Sequence, residues 1–232
     1  MEPLHRAAPR PTETPVRNVL LRERFLALWQ RCLLPGKTSD GGAIWDELER
    51  RYSEPHRSYH NKEHLAHCLE QIDLAAASMR HPEQVELAIW FHDVINEPGA
   101  RDNERRSARF FRARAEGLID PQVIDAVADL ILVTMHNDRP EDLDHQFICD
   151  VDLASFGCPW ECFMRDSENV KAEFEGPDED YYRGKEKFLE ALLARPRIFM
   201  TDFFNRRYER QARDNIAGLL KLVNRRQNLD RR

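Results

Sequence analysis

Apolar residues recur every three or four positions along most of the chain, the spacing of helices that bury one face. Alternation with a period of two is sustained nowhere, and β-branched residues are sparse beside Ala, Leu, Glu and Arg, so pattern and propensity agree on an all-α fold. Residues 1–15 hold Pro3, Pro9, Pro11 and Pro15 with no apolar period and read as a flexible arm; a single helical domain is expected over 16–232. Its first helix carries Leu20, Leu21, Phe25, Leu28 and Trp29 and stops at Pro35-Gly36. A loop with Gly41-Gly42 then leads to a short helical stretch about Ile44, Trp45, Leu48 and Tyr52.

Asn61 reads as the cap of a helix with Leu65, Cys68 or Leu69, Ile72, Ala76 and Met79 on its stripe, ending near Arg80 and His81. Pro82 suits the first turn of the next helix, where Val85, Leu87, Ala88, Ile89, Trp90 and Phe91 leave almost no polar face, so this helix is expected to be buried nearly all round. Further helices are expected from Asn103 to Glu116, from the cap Asp120-Pro121 to before Pro140, and from near Asp144 to Gly157. Three more follow, over Trp160–Phe174, Asp178–Leu193 and Thr201–Val223.

Composition changes this picture little. Of 232 residues, 41% are hydrophobic and 33% charged, with a mean hydropathy of -0.68, which is the profile of a globular rather than a disordered or membrane chain. No apolar run is long enough to span a bilayer and the N-terminus has no signal-peptide core, so a cytoplasmic protein with no membrane partner is expected. The net charge of -6 argues against a nucleic-acid partner, although Arg195 to Arg232 is locally arginine-rich. No heptad register persists, which leaves a homo-oligomer open. The cysteines, Cys32, Cys68, Cys149, Cys158 and Cys162, include no CxxC pair and read as small core or half-buried residues; Pro159 interrupts the one helical pairing, Cys158 with Cys162.

The candidate chemistry lies in histidines and aspartates. His60, His64 and His67 fall in one band of a helix, and His92-Asp93 ends a helix that is otherwise apolar. An imidazole and a carboxylate buried there unpaired would be costly, and a cation between them would remove that cost. Asp150 and Asp152 bracket Val151 in another apolar segment. Nitrogen and carboxylate donors together suit Zn, Fe, Mn, Co or Ni better than calcium, and Mg also remains in view. Water on such an ion becomes a hydroxide nucleophile more easily.

This ordered set resembles the HD-domain superfamily of metal-dependent phosphohydrolases, defined by a His, a His-Asp doublet and a distant Asp on separate helices. One branch has extended motifs similar to Tyr59-His60-Asn61-Lys62-Glu63-His64, Glu86 through Asp93, Asn103-Glu104 before Ser107-Ala108, Cys149 through Leu153, Arg183-Gly184-Lys185 and Ala212 through Asn215. The likeness runs from about Tyr59 to Asn215 and implies an HD-domain-like helical bundle. It implies a divalent metal held by His64, His92, Asp93 and Asp152, with His60, one turn from His64, as the competing first ligand. His60 otherwise orients a ligand or contacts phosphate, Asp93 has a secondary role in orienting or deprotonating the attacking water, and Glu97 and Glu104 are proton-transfer candidates. His67, His136 and Asp150 are expected to support the ligands or the fold rather than touch the metal, Asp150 as a holder of a histidine's second nitrogen. Arg183 and Lys185 are expected to contact phosphate, and Tyr181 or Tyr182 to stack on a base. The run Asp93-Val94-Ile95-Asn96-Glu97-Pro98 departs from that branch, which often has a small or tyrosyl residue after the doublet and a second Asp nearby.

The function so implied is hydrolysis of a phosphoester or phosphoanhydride in a nucleotide or other small phosphorylated metabolite. Two other readings stand beside it. One is a catalytically silent metal- and nucleotide-binding regulatory module; the other is a di-iron oxygenase, which would need histidines between the doublet and the last aspartate, where only His136 and His145 occur.

Overall fold

A computed structural model describes residues 13–137 and 139–230, with side chains over 18–137 and 139–224. The described residues form an all-α bundle: α1 (Glu13–Cys32), α2 (Gly41–Arg51), α3 (Lys62–Ala75), α4 (Pro82–Phe91), α5 (Asn103–Ala115), α6 (Pro121–Val133), α7 (Leu143–Asp152), α8 (Trp160–Ala172), α9 (Asp178–Ala194) and α10 (Asp202–Asp230). Short 3-10 turns follow α3 at Ala76–Ser78 and α7 at Leu153–Gly157. Of the expected arm, residues 1–12 lie outside the described residues and 13–15 belong to α1. Pro15 fits there because first-turn amides have no partner within the helix. No described helix is long and apolar enough to cross a membrane.

Local sequence sets the starts. Asn61 accepts from Glu63 N at 2.8 Å and Asp120 from Gln122 N at 2.8 Å, with Pro121 in the first turn of α6. Gly41-Gly42 opens α2 rather than forming a loop, because Asp40 caps Ala43 N at 3.0 Å. Asp142, two residues ahead of the expected start, caps α7 through Asp144 N and His145 N.

α4 is the axis of the bundle and packs against α1, α3, α5, α6 and α7. Val85, Leu87, Ala88, Ile89, Trp90 and Phe91 are all 0% exposed, and each large side chain among them contributes roughly 1.5–3 kcal/mol by leaving water. Trp90 and Phe91 meet Phe25 edge-on at 5.4 and 6.1 Å, and Phe91 meets Phe111 at 5.1 Å. Helices on every side leave α4 one direction in which its end can be polar, and His92 and Asp93 follow there.

The other half is organised on the turn after α7. α10 crosses that turn so closely that a Cβ on Gly157 would lie 2.4 Å from Tyr208 Cβ, and one on Gly218 would lie 2.8 Å from the Trp160 ring. Asp150, fully buried, holds the start of α10: its carboxylate accepts from Met200 N, Thr201 N and Thr201 Oγ1 at 2.7–2.8 Å. Burial pushes that carboxyl up to about 6 against these donors. Asp150 thus holds a helix start, and not the second nitrogen of a histidine.

Candidate metal centre and its cavity

Three helix ends converge. His64 stands in the first turn of α3, His92 caps the C-terminal end of α4 with Asp93 behind it, and Asp152 closes α7. The chain brings them together because α3, α4 and α7 pack on one another. His64 Nε2 is 3.2 Å from Asp152 Oδ1 and 3.6 Å from Asp93 Oδ2; His92 Nε2 is 3.0 Å from Asp93 Oδ2 and 3.6 Å from Asp152 Oδ1. Donor atoms of His64, His92 and Asp152 all lie within 4.8 Å of one another, a buried His/His/Asp group able to coordinate a metal ion.

The donor set fits a cation on two further observations. His92 Nδ1 donates to the Ile89 carbonyl at 2.9 Å, so in its neutral form the imidazole carries its lone pair on Nε2. That Nε2 and Asp93 Oδ2 are buried and make no hydrogen bond, a cost that a shared cation would relieve. Electrostatics point the same way. Burial opposes charge on His92, yet the Asp93 and Asp152 carboxylates outweigh it and hold the imidazole well above its usual range. Burial likewise opposes charge on Asp93, and His92, His60 and His64 outweigh it and draw the carboxyl down. Asp152 is also held well below its usual range despite burial, by its bond to His136 and by the nearby His64 and His92 imidazoles. The cluster demands positive charge at its centre.

Around these four lie supports with no signal in a single sequence. Arg57, its guanidinium fully buried, donates to the carbonyls of His60 (3.0 Å), Asp93 (2.6 Å) and Val94 (3.0 Å). Glu173, at the end of α8, accepts from Tyr59 N at 2.6 Å, from His60 N at 2.9 Å and from His60 Nδ1. Burial disfavours charge on both partners, but Asp93 and Glu173 keep His60 raised and His60 keeps Glu173 lowered. The band of three histidines is therefore broken: His60 precedes the cap Asn61 and faces Glu173, His64 joins Asp93 and Asp152, and His67 stands half-buried on α3. His136 lies 2.8 Å from Asp152 Oδ2.

A cavity of about 290 Å³ opens beside the cluster, lined by His60, Asp93, Glu104, His136 and Asp152 on its polar side and by Phe156, Phe163, Phe188 and Lys185 among others. Lys185 has no hydrogen bond or ion pair among the described residues, and its ammonium lies over the Phe156 ring at 6.0 Å. Burial pushes its ammonium down to about 8.

Three expectations fall elsewhere. Arg183 is exposed and pairs along its own helix with Glu179 (3.0 Å) and Asp180 (3.2 Å), because a step of two residues turns it about 200° from the face that Lys185 occupies. Glu97 sits 54% exposed beside Arg106, its backbone held by Asn103, and does not line the cavity. Tyr181 is buried against Phe174 and Tyr182 and bonds the Ser167 carbonyl, so neither tyrosine lines the cavity.

Compared with protein-family models, curated proteins and solved structures, the chain matches none.

Proposed function

We propose that this chain is a metal-dependent phosphohydrolase of the HD-domain kind, acting on a phosphoester or phosphoanhydride in a nucleotide or other small phosphorylated metabolite. One observation carries the reading: a buried His/His/Asp group beside an acidic oxygen and an imidazole nitrogen that make no hydrogen bond opens on a cavity holding an unpaired, desolvated ammonium. The first feature suits a divalent cation, the second an anionic substrate.

His64, His92, Asp93 and Asp152 would hold the ion, which in such sites activates water and draws charge from a phosphoryl oxygen. Lys185 neutralises phosphoryl oxygens at low cost, because its own charge is unsatisfied where it stands. His60, oriented by Glu173 through Nδ1, presents its other nitrogen as the proton donor to the leaving oxygen as the phosphorus–oxygen bond breaks and water supplies the new oxygen. Glu104, half-buried on the cavity wall, is a second proton-transfer group.

The test is phosphate release from a panel of nucleotides and sugar phosphates with Mn, Co, Ni, Fe, Mg and Zn, beside metal analysis of the protein. Asp93→Ala should lose both bound metal and turnover while keeping its helical content. Full metal-dependent release by that variant, or panel members that bind without release, would overturn the reading, the latter in favour of a silent binding module.

A further inference from the structure

The turn Leu153–Gly157 begins directly after Asp152 and ends at Cys158, whose backbone is extended (φ -76°, ψ 167°). Pro159 is the N-cap of α8 and not part of it, so the proline does not separate the two cysteines as the sequence suggests. It turns the chain onto the helix, and the Cys158 thiol comes back over the first turn. Cys162 and Asp166 stand one turn apart on α8, on the face toward that thiol. Donor atoms of Cys158, Cys162 and Asp166 all lie within 4.8 Å of one another.

We propose that Cys158, Cys162 and Asp166 form a second metal site, for a thiophilic cation of the Zn²⁺ class, that clips the start of α8 to the turn behind Asp152. Two thiolate sulfurs, with a harder carboxylate beside them, make this a softer donor set than the nitrogen and oxygen set of the first site, so the two sites select different ions. Tetrahedral zinc with bonds of about 2.3 Å to sulfur wants donors roughly 3.8 Å apart, within an ångström of the spacing present.

The protein's own Arg165 acts as a stand-in cation. One guanidinium nitrogen lies 3.2 Å from Cys162 Sγ and 3.1 Å from Asp166 Oδ1, marking the cluster as a pole that attracts positive charge. Its side chain is 64% exposed, so it can swing away at little cost, whereas Asp166 is only 19% exposed and is fixed. On ligation each thiol passes its proton to solvent and a metal–sulfur bond forms, with no change of oxidation state. Asp166 also lines the cavity, so an ion here would stiffen the wall facing the first site.

Cobalt(II) titrated into the reduced full-length protein reads the site directly. A sulfur-to-cobalt charge-transfer band is expected, displaced by zinc, absent from Cys158→Ser and from Cys162→Ser, and retained when His64 and His92 are both replaced by Ala. Arg165→Ala should tighten cobalt binding about fivefold, the value of one exposed ion pair. Reduced, folded wild-type protein without the band, or a band that survives both serine substitutions, would overturn the proposal. Should the serine variants fail to fold, cadmium must slow alkylation of Cys158 and Cys162 together in the wild-type protein while leaving Cys32 unchanged. Equal alkylation with and without cadmium would overturn it as well.

Discussion

His136 reaches Oδ2 of Asp152 across 2.8 Å from a backbone at φ +53°, a left-handed conformation that no other described non-glycine residue adopts. The bond holds one oxygen of Asp152 and leaves the other facing His64 and His92. A side chain pays for that backbone, and the position is tolerated because the imidazole is needed where it lands.

Replacing His136 separates the two effects. His136→Ala should weaken divalent-metal binding by about tenfold to a hundredfold, the usual effect of removing a ligand's outer partner. His136→Gly should bind as weakly, yet be about 1 kcal/mol more stable than the alanine variant because glycine accepts φ > 0 without strain. Calorimetric metal titration and urea unfolding measure both; equal stability of the two variants would show that the backbone is unstrained.

Lys185 predicts a pH dependence. Its ammonium is held near 8 by burial against an ordinary 10.5, so between these values the unfolded chain binds more protons and stability rises with pH. The cost is fully present below about pH 8 and is gone above the ordinary lysine range. Lys185→Met should remove this slope and raise KM for a phosphorylated substrate while leaving the metal content unchanged. An identical pH–stability profile for wild type and variant would contradict the placement of the amine.

Glu173 is a positioning residue for His60. Glu173→Gln keeps an oxygen for the Tyr59 and His60 amides but loses the charge on Nδ1, so kcat should fall by about tenfold or more with KM little altered. Glu173→Ala leaves those amides unsatisfied and should cost about 2–3 kcal/mol of stability. A glutamine variant with a wild-type pH–rate profile would leave His60 without this role.

Gly157→Ala tests the packing that sets the cavity wall. The added methyl would meet Tyr208 Cβ at 2.4 Å, too near the backbone for a rotamer change to relieve, and about 1–3 kcal/mol of destabilisation is expected. Pairing it with Tyr208→Gly, which removes the clashing Cβ, should show favourable coupling in a denaturant double-mutant cycle, whereas Tyr208→Ala keeps that atom and should leave the 2.4 Å contact in place.

The helices were legible because their signals are local. Asn61, Asp120-Pro121 and Pro82 act within one turn of themselves, and the apolar run before His92 announces a buried helix by its own composition. His92-Asp93 stood out for the same reason: a polar pair closing such a run needs compensation. Arg57 and Glu173 gave no warning. Each is a charged residue in a polar stretch, and only the fold reveals that one guanidinium is fully buried and that one carboxylate meets a segment more than a hundred residues earlier. Arg183 and Lys185 look alike in sequence, and helical phase alone divides an exposed ion pair from a cavity amine. Pro159 misled because a proline between two cysteines reads as a break, whereas at an N-cap it is the hinge that folds one back on the other.

Arg57 has a wider consequence. By gripping the carbonyls of His60, Asp93 and Val94 together, it joins the strand of chain ahead of α3 to the one leaving α4, so neither can shift without dragging the other. The metal-holding pole is rigid by construction, and adjustment to differently shaped molecules falls to the opposite wall, where α8 and α9 supply Phe163, Lys185 and Phe188 from surface-facing helices. Re-engineering of what the cavity admits should begin on those two helices.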